Sequence, residues 1–300
     1  MNSLLLHSPP LSEDGTAGQA SSGTRCAVPS SNAAPASSAL PASSPRVRLF
    51  GLEIDAVRMG EAVARLLDWV NAPTGQCKYV VTPNADHAVM FQDQPALRAA
   101  YATASLVLAD GMPVVMASRI LKRRLPERVT GSDLVPALFA AANPDSGLRV
   151  FLLGALPGVA PRAAANIERR WPHVKVVDVY SPPLGFEHQT AENEAILARI
   201  AAAAPDVLVV GLGAPKQEIW VHQHRLRLRV PVALCAGAAI DFLAGEKPRA
   251  PRWMRSAGLE WLHRLASEPR RLALRYVRDA WIFPRLVWRE WRMHGLGTRS

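Results

Sequence analysis

Between residues 47 and 246, short apolar runs alternate with stretches whose apolar positions recur at helical spacing. Residues 47–55 alternate as a short strand, and 59–70 set Ala62, Val63, Leu66, Leu67 and Val70 on one helical face. Lys78-Tyr79-Val80-Val81 reads as a strand that stops at Pro83, where the polar Thr82-Pro83-Asn84-Ala85-Asp86-His87 opens the next helix. The same grammar repeats. Residues 105–109 form an apolar run ending at Asp110-Gly111, with a helical stretch at 113–121. Residues 149–153 end at Gly154, and Pro157-Gly158 leads into a helix over 159–170. A strand at 174–179 and a helix at 191–204 follow, and a last strand at 230–235 ends in Ala236-Gly237-Ala238. Before that last strand comes Asp206-Val207-Leu208-Val209-Val210-Gly211-Leu212-Gly213-Ala214-Pro215-Lys216-Gln217-Glu218, a buried strand, a glycine loop and a proline-opened helix. Its fresh helix N–H groups suit an anion. Strands alternating with helices predict an α/β fold: a Rossmann-like, mainly parallel sheet flanked by helices. The pattern leaves strand order open, and with it ferredoxin-like and flavodoxin-like arrangements.

Composition changes this picture at both ends. Residues 1–45 are rich in Ser, Ala and Pro without apolar periodicity, so ordering them would cost entropy with little surface to bury; we expect disorder there. The remaining length and a 49 % hydrophobic content suffice for an enzyme-sized core. The net charge of +10 is concentrated from Lys247 onward, where thirteen basic residues face four acids, and five of the eight tryptophans lie in the same segment. Residues 46–246 thus read as the α/β core and 247–300 as a basic, aromatic-rich helical C-terminal appendage. Tyr276, Trp281, Ile282, Phe283, Leu286, Val287 and Trp291 interleave with Arg275, Arg278, Arg285, Arg289 and Arg292, a mixture that suits an anionic membrane surface; a solvated face packed on its own core is the alternative. Nucleic acid is the lesser partner, because no nucleic-acid motif accompanies the charge. The three cysteines are scattered and lack metal-ligand spacing, which fits a reducing cytoplasm. No apolar run approaches the roughly 18–20 residues that span a bilayer, and no signal peptide is evident.

Ligands of parallel α/β folds collect at the carboxyl ends of the strands. Thr82, Asn84, Asp110, Gly154, Gly211, Gly213 and Gln217 all fall just after an expected strand. Asp110 is the strongest base: partial burial would raise its pKa toward the range where a carboxylate accepts a proton efficiently. Read from the residues alone, it could equally cap the helix that begins near Met112. His87 sits on an expected helix and is left out of the site, and Asp241 either lines the same pocket or caps a turn. No cluster of His, Cys, Asp or Glu has ligand spacing, so no metal is expected, and Gly211-Leu212-Gly213 lacks the third glycine of a nicotinamide site.

Taken together, Thr82-Pro83-Asn84, Ala109-Asp110-Gly111, Glu127-Arg128-Val129-Thr130-Gly131-Ser132-Asp133, Gly213-Ala214-Pro215-Lys216-Gln217-Glu218, Arg249-Ala250-Pro251 and Leu259-Glu260-Trp261 with Arg264 and Glu268-Pro269 resemble the WecG/TagA/CpsF glycosyltransferases, glycosyltransferase family 26, over residues 47 to about 280. The resemblance implies a metal-independent, inverting transfer, without a cofactor, from a UDP-sugar to a polyprenyl-diphosphate-linked saccharide at the cytoplasmic membrane face. It implies Asp110 as general base, Thr82, Asn84 and Gln217 lining the sugar and acceptor pocket, and the loop from Gly211 through Gly213 to Pro215 holding the nucleotide. Arg128 lies near the active site in that reading, while Arg264 and Arg271 close over it and neutralise diphosphate charge. If the tail completes the pocket by docking, activity would depend on membrane or on a homo-oligomer. The competing class is a non-catalytic, membrane-associated nucleotide-sugar binder. Family members transfer N-acetylmannosamine, its uronic acid or glucose, and this chain does not name the sugar.

Overall fold

The computed structural model describes residues 44–251, 253–254 and 258–297, without the side chains of Arg271 and of residues beyond Met293. The segment expected to be disordered lies outside these residues apart from its last two positions.

The first strand expected from alternation is two. β1 (Arg46–Leu49) and β2 (Leu52–Asp55) form an antiparallel hairpin. Its two-residue turn, Phe50-Gly51, has both residues at positive φ, 56° and 86°, the backbone twist that matches a tight hairpin. Alternation carries through the turn, so sequence periodicity hid the reversal. Asp55 then fastens the hairpin to the main sheet: its buried carboxylate accepts the Val107 N–H at 2.9 Å and bonds Arg46 and Ser44 at 3.1 and 2.8 Å.

The main sheet has six parallel strands, β3 (Lys78–Val81), β4 (Leu106–Val107), β5 (Leu148–Gly154), β6 (Val174–Tyr180), β7 (Val207–Gly211) and β8 (Val232–Cys235), in the order β4-β3-β8-β7-β5-β6. The chain crosses from β4 at one edge to β5, and β8 fills the gap between β7 and β3 last. Strand residues alternate between two apolar layers, Val81, Phe151, Leu208, Val210 and Ala233 on one side and Val80, Leu152, Val207, Val209 and Val232 on the other. Strands buried on both faces are why the sequence shows continuous apolar runs. One layer is covered by α1 (Met59–Asn71), α5 (Gly131–Ala141), α6 (Val159–Arg170) and α9 (Ala239–Ala244); the other by α2 (Ala85–Asp93), α3 (Pro95–Ala102), α4 (Met112–Ile120), α7 (Thr190–Ala203) and α8 (Lys216–His224). Helix α5 went unread because Pro136 interrupts its pattern, although Thr130 caps it by accepting the Asp133 N–H at 3.1 Å.

The C-terminal segment forms α10 (Glu260–Ser267) and the 29-residue α11 (Pro269–Gly297). α11 lies against α2 and the hairpin. Phe283 packs edge-on against Phe50 with ring centroids 5.1 Å apart, and Leu272 and Leu286 are buried. Asp86 of α2 bonds Arg278 at 2.6 Å and faces Arg275 at 3.5 Å; Glu290 accepts the Phe50 N–H at 2.6 Å and pairs with Arg123 at 2.9 Å. Arg275 and Arg278 are therefore engaged with Asp86, and the segment is packed on the core. No helix among the described residues is long and apolar enough to cross a membrane.

Candidate active site

The carboxyl ends of β3, β4, β7 and β8 share one edge of the sheet. After β3, Thr82 is buried and its hydroxyl donates to the Cys235 carbonyl at 3.4 Å, tying β3 to β8. Asn84 caps α2, its Oδ1 accepting the His87 N–H at 3.2 Å. After β4, the Asp110 N–H donates to the Pro83 carbonyl at 2.9 Å, which lays the two loops side by side. Gly111 follows at φ 101°, where a side chain would be strained and would touch Asn84. α4 is capped by Gly111 without a side-chain hydrogen bond, so Asp110 does not serve as its cap.

The Asp110 carboxyl receives no hydrogen bond among the described residues. Desolvation pushes its pKa up to about 6; Arg264, Arg128 and the imidazole of His87 pull the other way, while Glu260 adds to the rise. The flanking charges come from both parts of the chain. Arg128 bonds Glu260 of α10 at 3.2 Å and faces Asp133 at 3.7 Å. Arg264, also on α10, lies over the Phe242 ring at 5.4 Å, and Arg249 lies over the same ring at 5.5 Å while pairing with Asp133 at 2.5 Å. Asp241, in the first turn of α9, ion-pairs with Lys247 at 3.0 Å, and Lys247 reaches Glu268 at the same distance. These pairs fix α10 beside Asp110. Gly258, at φ 75°, lets the lead-in to α10 press on Met112, the first residue of α4; a Cβ there would overlap the methionine side chain.

On the β7 side the glycines serve close approach. A Cβ on Gly154 would sit 2.5 Å from the Gly211 carbonyl oxygen, and one on Gly211 would sit 2.9 Å from that of Gly237. Gly213 has φ 82° and its carbonyl accepts the Gln217 N–H at 3.0 Å; the Ala214–Pro215 peptide is cis, with Pro215 at the head of α8. Gln217 is buried and its amide is engaged at both ends, accepting the Gly237 N–H at 3.2 Å and donating to Glu218 at 2.8 Å. It ties the loops after β7 and β8 together. The same Glu218 oxygen faces His87 Nε2 at 3.3 Å. Sequence reasoning set His87 aside, yet it is buried at the centre of this network; its spacing from the cap residue Asn84 was the available signal. The Arg271 side chain lies outside the described residues, and Arg275 and Arg278 are the α11 arginines held against the core at Asp86. Among the described residues no group of acids, histidines or cysteines could hold a metal ion.

This edge brings together Thr82, Asn84, Asp110, Arg128 and Arg264 and sets the Gly211–Pro215 loop and Gln217 across from them. A desolvated carboxylate with cations nearby can take a proton near neutral pH, and those cations can balance negative charge on a departing group. The sequence profile described as the Glycosyl transferase WecG/TagA/CpsF family matches residues 47–296, nearly the whole chain outside its N-terminal segment, and the chain belongs to that glycosyltransferase family.

Proposed function

We propose that this glycosyltransferase moves a hexose-type sugar (N-acetylmannosamine, its uronic acid or glucose) from a UDP-sugar to a polyprenyl-diphosphate-linked saccharide in bacterial cell-surface polysaccharide synthesis. Asp110 takes the proton from the acceptor hydroxyl as its oxygen attacks the anomeric carbon from the face opposite UDP. The bond to the UDP oxygen breaks, the configuration inverts, and the leaving diphosphate carries the negative charge. Arg264 and Arg128 offset that charge, a role that needs no metal. The loop from Gly211 to Pro215 and the start of α8 receive the nucleotide, Thr82 and Asn84 border the sugar, and Gln217 holds the two loops in register. Exposed Trp281, Trp288 and Trp291, with Arg285 and Arg292 stacked on two of these rings, form the face that rests on the anionic inner surface of the cell membrane.

The observation that carries this reading is the Asp110 carboxyl, desolvated, without a hydrogen bond among the described residues and flanked by arginines. A structural aspartate at a strand end would be capped or paired. The test is a screen of UDP-sugars with a short-chain polyprenyl-diphosphate sugar acceptor, with and without anionic liposomes. We expect transfer from one donor, faster with liposomes. UDP binding without transfer from any donor, also with a longer acceptor saccharide, would favour a nucleotide-sugar-binding protein instead.

A further inference from the structure

Helix α4 begins two residues after Asp110 and is apolar on two faces. Val114, Val115 and Ala117 pack into the core, while Pro113, Met116 and Ile120, spaced at i, i+3 and i+7, stay exposed on the outer side. A helix apolar all round is ordinarily covered all round. Here the outer side of α4 and the facing side of α11 leave an open groove of about 490 Å³, within the range of sites that take small ligands. Val287, Trp288 and Trp291 form its far wall, and the buried Ala117 and Phe283 its floor. Met116, Ile120, Trp288 and Trp291 are each more than half exposed. Apart from the two indole N–H groups, no lining side chain carries a charge or a strong hydrogen-bonding group, so water in the groove has few partners. From Pro113 to Ile120 the groove follows α4 for about 10 Å, at a rise of about 1.5 Å per residue. It starts in the first turn of the helix, at the end that adjoins the Asp110 loop.

We propose that this groove seats the hydrocarbon chain of the acceptor lipid, so that the chain lies between α4 and α11 while the saccharide at its head reaches Asp110. The proposal rests on the transfer reaction proposed above and adds to it a place for the lipid. An elongated apolar groove that runs up to a polar, cation-flanked site matches an amphiphile, apolar along its chain and anionic at its head. The groove shares Trp288 and Trp291 with the exposed tryptophan face of α11, so a chain can pass from a bilayer under that face into the groove without crossing water. Arg292 lies over the Trp288 ring at 4.6 Å and keeps the rim cationic. That favours the lipid of an anionic acceptor over a second copy of this chain, whose own net charge is +10. Each methylene taken out of water contributes about fourfold in affinity at most, so even a few isoprene units seated here would be felt in binding.

The test has two arms, of which only the second needs sugar transfer. In the first, farnesyl diphosphate and inorganic diphosphate are titrated by calorimetry, without membrane, into the full-length protein, into the double variant Met116→Gln/Ile120→Gln and into Trp281→Gln. Met116 and Ile120 are exposed, so polar residues are tolerated there, and Trp281 lies on the same face of the tail but outside the groove. We expect the farnesyl probe to bind the parent and Trp281→Gln at least about tenfold more tightly than diphosphate alone, and the double variant by less than about threefold. Equal affinity for the two probes in the parent, or an advantage that the double variant keeps, overturns the proposal. So does an advantage lost as fully in Trp281→Gln, which would mean general apolar adherence. A parent that sediments as a dimer, and as a monomer once Met116 and Ile120 are replaced, would assign the groove to a second copy instead. In the second arm, transfer is compared for one saccharide diphosphate esterified with farnesyl or with methyl. The parent should prefer the farnesyl acceptor in kcat/KM by about tenfold or more; the double variant should lose that preference and keep its rate on the methyl acceptor. Equal losses on both acceptors would overturn the proposal. If the parent transfers sugar to neither, the function proposed above fails while the first arm still decides the groove.

Discussion

Asp110 is the residue on which the proposed activity and the stability pull in opposite directions. Its carboxyl sits at about 6 in the folded chain against an ordinary 3.8. Acting as a base it must be ionised, so kcat/KM should rise with pH through a limb near 6 and level off above it; a profile flat from pH 5 to 8 would contradict that role. The linkage runs the other way. Between 3.8 and 6 the folded state holds more of this proton than the unfolded state, so folding stability from this group is full below the unfolded value and declines as pH rises through 6. Asp110→Asn removes a partly buried, desolvated charge and should stabilise the protein at pH 8 by on the order of 1–3 kcal/mol. The gain should shrink toward pH 4 in thermal melts of the two proteins. An equal difference at both pH values would show that the carboxyl is not desolvated. Asp110 could be found by its position after an apolar strand. For His87 the only signal was its spacing from Asn84; its contact with Glu218, far along the chain, forms only once β7 is placed near β3 in the sheet.

At the scale of elements, α11 divides into a buried and an exposed face, and the two should answer differently to substitution. Phe283 is held against Phe50 and is nearly fully buried, so Phe283→Ala should cost about 3 kcal/mol in denaturant unfolding. Trp288 and Trp291 are more than half exposed, at 57 % and 55 %. Replacing both by Ala should leave stability within about 0.5 kcal/mol while weakening sedimentation with anionic liposomes. Unchanged liposome binding would remove this face from the membrane proposal. The sequence carried the composition of this helix but not its seating. Interleaved arginines and tryptophans read the same whether a face points to lipid or to Asp86, and only the packing of Phe283 and the pairing of Arg278 separate them. The hairpin at Phe50-Gly51 was illegible for a related reason: a two-residue turn preserves strand alternation, so no break marks it.

Taken whole, the molecule is a parallel sheet with α10 and α11 packed beside the edge that carries Asp110. The alternation of strands and helices was plain in the pattern because each strand is buried on two sides. The order β4-β3-β8-β7-β5-β6 was not, since it depends on which helices fit on which face. That order is what brings Asp110, Asn84 and the Gly211–Pro215 loop to one edge, with α10 and α11 laid across the core at Glu260, Arg264 and Asp86. A chain cut before α11 would uncover Phe50, lose buried Leu272, Phe283 and Leu286 and leave Asp86 without its arginines. We expect it to lose about 5 kcal/mol or more, comparable to the whole stability of many domains, and an unfolding midpoint equal to the parent's would contradict that. The central claim is that Asp110 performs the proton transfer in a site that binds UDP-sugar without it. The most direct measurement compares Asp110→Asn with the parent for sugar transfer to a polyprenyl-diphosphate-linked acceptor and, in the same preparations, for UDP binding by calorimetry. The account predicts UDP affinity within a few-fold of the parent and turnover reduced by about a thousandfold or more; an Asn variant that still transferred sugar at near the parent's rate would contradict it.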